Sequence, residues 1–135
     1  MKVYVVSIVQ GLYWFVTGIW PFLHLKSFVW VTGPKQDYWL LYTVAVLITV
    51  IGAVLLAAGL RRQVTAEIKW LGIGGAAGLA GIDLFYALSD LISDIYLLDA
   101  AGEAILILLW LWAGTKGMAR FKQNRDDASL NSSKL

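Results

Sequence analysis

The chain contains no cysteine, only one histidine and only two prolines. The absence of cysteine excludes thiol redox chemistry, cysteine-ligated clusters and disulfide bonds. Charged residues are also scarce, at 15% of the chain, compared with about 25% in a typical soluble domain. Basic residues are few and no nucleic-acid-binding motif is present, so the sequence gives no support for binding to DNA or RNA.

Apolar residues are what the sequence has in abundance. They make up 59% of the chain, and its mean hydropathy is +0.70. A helix needs about 20 apolar residues to cross the hydrocarbon core of a bilayer. The runs of suitable length and composition cover about residues 3–25, 38–60, 70–89 and 100–119. They lack the alternation of a barrel strand, and a lipid-spanning backbone must satisfy its own hydrogen bonds, so helices are predicted.

The predicted fold is therefore all-α, a four-helix transmembrane bundle with short loops. Residues 1–120 form this single domain, and residues 121–135 are predicted to be a polar, disordered tail on the cytoplasmic side. We expect no second domain beside this bundle.

The basic residues are distributed unevenly between the two sides of this bundle. If the N-terminus is cytoplasmic, only Lys26 and Lys35 of the 11 Lys and Arg residues lie outside. Short loops rich in Lys and Arg stay in the cytoplasm, so the bias predicts that both termini are cytoplasmic. We expect an integral protein of a bacterial inner, or plasma, membrane.

Asp83 is an acidic residue inside the third apolar run. An ionisable side chain within a membrane span is costly and usually faces a protein interior or a hydrated cavity. Asp83 is therefore the first candidate for a functional residue. The alternative is a structural role, in which Asp83 only forms a hydrogen bond with a neighbouring helix.

Several other polar residues are predicted to lie at the depth of Asp83 or between it and the outer surface. A helix rises ~1.5 Å per residue, which brings Thr17 to the level of Asp83 and His24 to that of Asp90. We expect an outward-facing polar cavity between the first, third and fourth spans, with Asp83 at its floor. Its expected ligand-binding residues are Tyr13, Thr17, His24, Asp83, Tyr86, Asp90 and Glu103.

These residues also have simpler interpretations. His24 would be an ordinary histidine at the membrane surface, and Asp90 would belong to a solvated acidic loop. Glu103 lies about one turn into its predicted helix, where the helix dipole alone favours an acid. A helix rotated away from the others would leave these side chains apart.

Glycines are concentrated in the third span. Gly74 and Gly78 have the four-residue spacing that lets two membrane helices approach closely, and Gly81 extends the same small surface. We predict that these three glycines pack against another helix, either within the bundle or in a homodimer.

The sequence does not identify a reaction. One histidine without clustered ligands gives no support for a metal site, and no nucleophile elbow is present. We assign no catalytic residue and no cofactor, although acid–base chemistry by His24 with Asp83 or Glu103 stays open. The expected function is binding of a small amphiphilic or lipid-like molecule, with membrane lipid around the bundle. The alternatives are a dimeric, proton-coupled small-molecule transporter that uses Asp83 and a membrane scaffold or accessory subunit.

Overall fold

The computed structural model of the chain describes residues 1–132, apart from the side chains of residues 116–122 and 131. This part of the chain is all-helical. Its helices in chain order are α1 Val3–Leu23, α2 Leu25–Thr32, α3 Tyr38–Leu60, α4 Ala66–Leu88 and α5 Ile95–Ser132.

Four helical segments are long and apolar enough to cross a membrane. They are α1, α3, α4 and the Ile95–Thr115 part of α5. The predicted all-α class and the four apolar spans are thus confirmed. α4 begins at Ala66 and not near residue 70, because the Thr65 side chain caps it by accepting a hydrogen bond from the Ile68 N–H at 3.4 Å. α5 likewise begins at Ile95, about five residues before the predicted start near residue 100. In both cases the helix begins several residues before the apolar run does.

The C-terminal segment differs from its prediction. Residues 121–132 continue α5 as helix where a disordered tail is predicted, and residues 133–135 lie outside the described residues. A polar composition shows that a segment has no apolar face to bury. It does not prevent good helix formers from extending a helix that a membrane span has already nucleated.

A short helix, α2, occupies the connection between the first two spans, where the sequence predicts a short loop. His24 is its N-cap, and the ring Nδ1 accepts a hydrogen bond from the Ser27 N–H at 3.1 Å. The rings of Trp20 and Phe28 meet edge to face at 5.6 Å and hold α2 against the end of α1. α2 therefore covers this end of the bundle, which we call the α2 end.

α1 and α3 pack backbone to backbone through glycines spaced seven residues apart. Gly11 on α1 meets Gly52 on α3, whereas Gly18 meets α3 at Ala45 and Thr49, and Gly59 meets α1 at Tyr4 and Ile8. A Cβ atom added at Gly11 would lie 2.4 Å from the Leu56 nitrogen, which no real side chain tolerates. Small residues permit this close approach in membrane helices, where dispersion contacts replace the hydrophobic effect.

The predicted packing glycines do not pack within the chain. A Cβ added at Gly74, Gly78 or Gly81 meets no atom within 4 Å. The close contacts of α4 are instead at Gly72, beside Trp110, and at Gly75, beside Trp14. Packing of Gly74, Gly78 and Gly81 inside the bundle is therefore wrong for the described residues, and their contact with a second copy stays a prediction.

A buried glutamine joins three helices in the half of the bundle away from α2. Gln10 donates from Nε2 to the Gly72 carbonyl at 2.9 Å, and its Oε1 accepts from Trp110 Nε1 at 2.6 Å. Both polar ends of the Gln10 amide are thus satisfied in an apolar core that includes Val6, Leu55 and Trp110.

The glycine contacts predict a sharp contrast between two alanine variants. Gly11→Ala forces α1 and α3 apart, and we expect it to destabilise the protein by about 1–3 kcal/mol, as overpacking does. Gly78→Ala adds its methyl group to open space and should leave stability unchanged or slightly higher. Thermal unfolding of both variants in the same detergent measures the difference. Equal stability would contradict the backbone contact of α1 with α3.

Candidate functional site

A partly open cavity of about 460 Å³ lies between the helices at the α2 end of the bundle. All five helices contribute to its lining, and most of the lining surface is apolar. α1 contributes residues between Tyr13 and Pro21, and α2 covers the cavity with Phe28, Val31 and Thr32. The lining also includes three acidic residues, Asp83 of α4 and Asp99 and Glu103 of α5.

Trp14 forms part of the cavity wall and contacts both α4 and α5. Its ring packs on the backbone of α4 at Gly75, where an added Cβ would lie 2.5 Å from the ring. Its Nε1–H donates to Glu103 Oε1 at 2.7 Å. One buried side chain of α1 therefore fixes both α4 and the carboxyl group on α5.

Three carboxyl groups meet in the cavity, and we call Asp83, Asp99 and Glu103 the acidic cluster. Asp83 is 7% exposed and Glu103 is 1% exposed. The Asp83 and Asp99 side chains are within hydrogen-bonding reach of each other. The Tyr13 hydroxyl donates to Asp99 Oδ1, which connects α1 to the cluster.

Two oxygens of the acidic cluster have no partner among the described residues. Asp83 Oδ2 and Glu103 Oε2 are buried and accept no hydrogen bond there. A buried acceptor that is left unpaired costs about 1–3 kcal/mol, and more if it is charged. These atoms are therefore complementary to a hydrogen-bond donor.

Thr17 and Pro21 both belong to the cavity wall that α1 forms. The Thr17 hydroxyl donates to the Tyr13 carbonyl at 2.7 Å and lies on the cavity surface. Pro21 has no N–H, so the Thr17 carbonyl, four residues earlier, lacks its usual helical donor. The backbone of α1 therefore has one acceptor near the cavity without its i + 4 donor.

The structure brings together four of the seven predicted site residues. Tyr13, Thr17, Asp83 and Glu103 all line the cavity. They come from α1, α4 and α5, which are the helices that the sequence analysis expected to form the site.

The other three predicted residues lie outside the cavity. Tyr86 is 39% exposed, because the buried side of α4 continues from Asp83 to Ala87. α4 ends at Leu88, so Asp90 is exposed in the following turn and no longer follows the helical spacing. His24 lies beyond the end of α1 and is exposed as the cap of α2.

The sequence analysis did not include Asp99 among the expected site residues. α5 begins at Ile95, which puts Asp99 within the helix, four residues before Glu103 and on the same face. That spacing was a usable signal. It was overlooked because the start of the helix was placed where the apolar run begins.

No family model, curated protein or solved structure matches the chain. Among the described residues, no group of three or more His, Cys, Asp and Glu side chains has an arrangement that could hold a metal ion.

Two tyrosines provide a matched test of the site geometry. Tyr13→Phe removes the hydroxyl that donates to Asp99, so we expect a loss of about 1–3 kcal/mol in stability, typical of a hydrogen bond to a carboxylate. Tyr86→Phe alters an exposed ring and should change stability by less than about 0.5 kcal/mol. Thermal unfolding in detergent measures both changes in stability. A larger loss for Tyr86→Phe than for Tyr13→Phe would contradict the described arrangement.

Proposed function

We propose that this protein binds a small amphiphilic or lipid-like molecule within the membrane, in the cavity between its helices. The observation that carries this proposal is the cavity itself. Its volume of about 460 Å³ lies within the range of roughly 300–1,000 Å³ that is usual for small-molecule sites. Ligand sites are mostly apolar with a few convergent polar groups, and this lining has the same character.

The acidic residues of the cavity meet in one group, and most of the remaining lining is apolar. Tyr13, Asp83, Asp99 and Glu103 form the polar group, whereas Ile48 and Leu79 belong to the apolar wall. An amphiphile bound there would place its polar group near the carboxyls and its apolar body against the wall.

The position of the cavity near the α2 end supports access from the membrane surface. Trp30 and Trp39 are largely exposed at this end, and exposed tryptophans are typical of the interface between membrane and water. Amphiphiles concentrate at that interface. The excess of basic residues in the other segments favours an outward-facing opening.

An alanine pair on α3 tests whether the cavity binds ligands. Ala45 is buried and lines the cavity, whereas Ala53 lies two turns along α3 and is not part of the lining. Ala45→Leu fills space that a ligand would occupy, so we expect at least about a tenfold loss of affinity for amphiphilic ligands, since about 1.4 kcal/mol corresponds to a factor of ten. Ala53→Leu should leave affinity unchanged. Ligand-induced thermal stabilisation reports both.

The Ala53→Leu variant also controls for a general effect of a larger side chain on α3. Equal ligand-induced stabilisation of folded Ala45→Leu and of the unaltered protein would contradict binding in this cavity.

The second candidate function is dimeric, proton-coupled transport that uses Asp83. It is favoured by the open surface at Gly74, Gly78 and Gly81, which leaves a small-residue face of α4 for a second copy. Binding without pH-gradient-driven flux in proteoliposomes would separate the two functions. No contact among the described residues specifically favours the scaffold alternative.

A further inference from the structure

The unpartnered carboxyl oxygens narrow the chemistry of the ligand. Asp83 and Glu103 are each more than nine-tenths buried, and each has one oxygen with no donor among the described residues. Both residues line the cavity. The last torsion of a carboxyl side chain is soft, so a small rotation presents the free oxygen of Asp83 to a molecule in the cavity.

The charges around the cavity have one sign. Three acids line it, and none of the described lining residues is Lys, Arg or His. Lys35 contacts two of the lining residues: its Nζ donates to the Thr32 carbonyl at 2.9 Å and lies 4.9 Å from the centre of the Tyr96 ring. Lys35 is therefore engaged on the α2 side of the cavity, and a positive charge within the cavity would be supplied by the ligand.

The aromatic side chains of the wall suit the same occupant. Rings of Tyr13, Trp14, Trp20, Phe28 and Tyr96 contribute to the lining. Aromatic faces attract organic cations and also provide apolar contact area for the body of an amphiphile.

We propose that the ligand is an organic cation that carries N–H groups on an apolar body, that is, a protonated primary or secondary amine. Its N–H groups would donate to the free oxygens of Asp83 and Glu103 and to the carboxyl group of Asp99. Its apolar body would lie against the aromatic wall. This inference rests on the proposed function and specifies the ligand class for the same cavity. The amine is either a free small molecule or the headgroup of an aminolipid such as phosphatidylethanolamine.

Three probes with the same phenylbutyl body separate charge from hydrogen bonding. They are phenylbutylamine, its trimethylammonium analogue, which has the charge but no N–H, and phenylbutanol, which is neutral. Calorimetric titration of the full chain in an uncharged detergent gives the three affinities. We expect the amine to bind about 10- to 100-fold more tightly than either analogue, the ratio typical of hydrogen bonds to charged groups.

Variants of the acidic residues identify the groups responsible. Asp83→Asn should lower the affinity for phenylbutylamine at least about tenfold and leave that for phenylbutanol unchanged. Asp90→Asn is the matched control, because Asp90 is exposed just beyond the same helix and does not line the cavity. It should leave all three affinities unchanged. If Asp83→Asn does not fold, Asp99→Asn replaces it with the same expected loss.

Each outcome bears on a different part of the account. Equal affinities for amine and alcohol, abolished together by Ala45→Leu, would overturn the amine assignment and support the proposed binding function. Failure of all three probes to bind would overturn both. Retention of the amine preference in every folded Asp83 and Asp99 variant would also overturn the assignment.

Changing the lipid composition distinguishes an aminolipid headgroup from a free small-molecule amine as the ligand. In phosphatidylcholine nanodiscs, addition of phosphatidylethanolamine should weaken phenylbutylamine binding if an aminolipid headgroup is the ligand. Unchanged phenylbutylamine binding would identify a free amine. Both results support an amine ligand and assign its source.

Discussion

The contact of Trp14 with Gly75 and Glu103 is the interaction on which the rest of the site depends. It places a large ring against the backbone of α4 and directs an indole N–H to a carboxyl group on α5. A buried carboxyl group in a membrane bundle is costly unless it is hydrogen-bonded. Trp14 supplies a donor to one oxygen of Glu103 and leaves the other oxygen for a further partner.

Two kinds of packing divide the bundle along its length. α1 and α3 meet through glycines with little space between their backbones, whereas α4 and α5 are joined to α1 by large side chains. Away from α2, Gln10 and Trp110 fill the centre and satisfy each other. Towards α2, beyond Trp14, the interior is filled less completely, and the cavity lies there.

This arrangement accounts for the chemistry of the cavity. Two buried carboxyl oxygens have no donor among the described residues, and the described lining contains three acids without a base. Because the surroundings are apolar, electrostatic interactions in the cavity are stronger than in water. The selectivity for N–H cations that we infer follows from the combination of unpaired acceptors and aromatic walls.

Sequence patterns alone predicted a substantial part of this structure. Hydropathy located the four spans, and the helical rise brought Thr17, Asp83 and Glu103 to one level. Three errors depended on helix ends, which hydropathy does not mark: Asp90 and His24 lie just beyond them, and Asp99 lies inside one. Tyr86 failed because it lies on the exposed side of α4.

Contacts between distant segments could not be predicted from the sequence either. The seven-residue glycine spacing of α1 and α3 was visible in the sequence, yet which helix each glycine would meet depends on the rotation of both helices. The same holds for Gly74, whose four-residue spacing with Gly78 is typical of packing although both face away from the bundle. Rotation is set by the sum of all side-chain contacts and by no single motif.

The most direct test of the central claim, an acidic cavity between these helices, is the charge selectivity of thiol labelling in this cysteine-free chain. Thr17→Cys places a thiol in the cavity, and Val16→Cys places one on the exposed, lipid-facing side of α1. The reagents are the cationic ethylammonium methanethiosulfonate and the anionic ethylsulfonate methanethiosulfonate. Each reaction rate is divided by the rate of the same reagent with Ser93→Cys, which lies at an exposed position.

The account predicts that Thr17→Cys reacts, and that the cationic reagent reacts at least about tenfold faster than the anionic one, as a potential difference of about 1.4 kcal/mol would produce. Val16→Cys should react with neither. An unreactive Thr17→Cys, or equal rates for the two reagents, would contradict the claim.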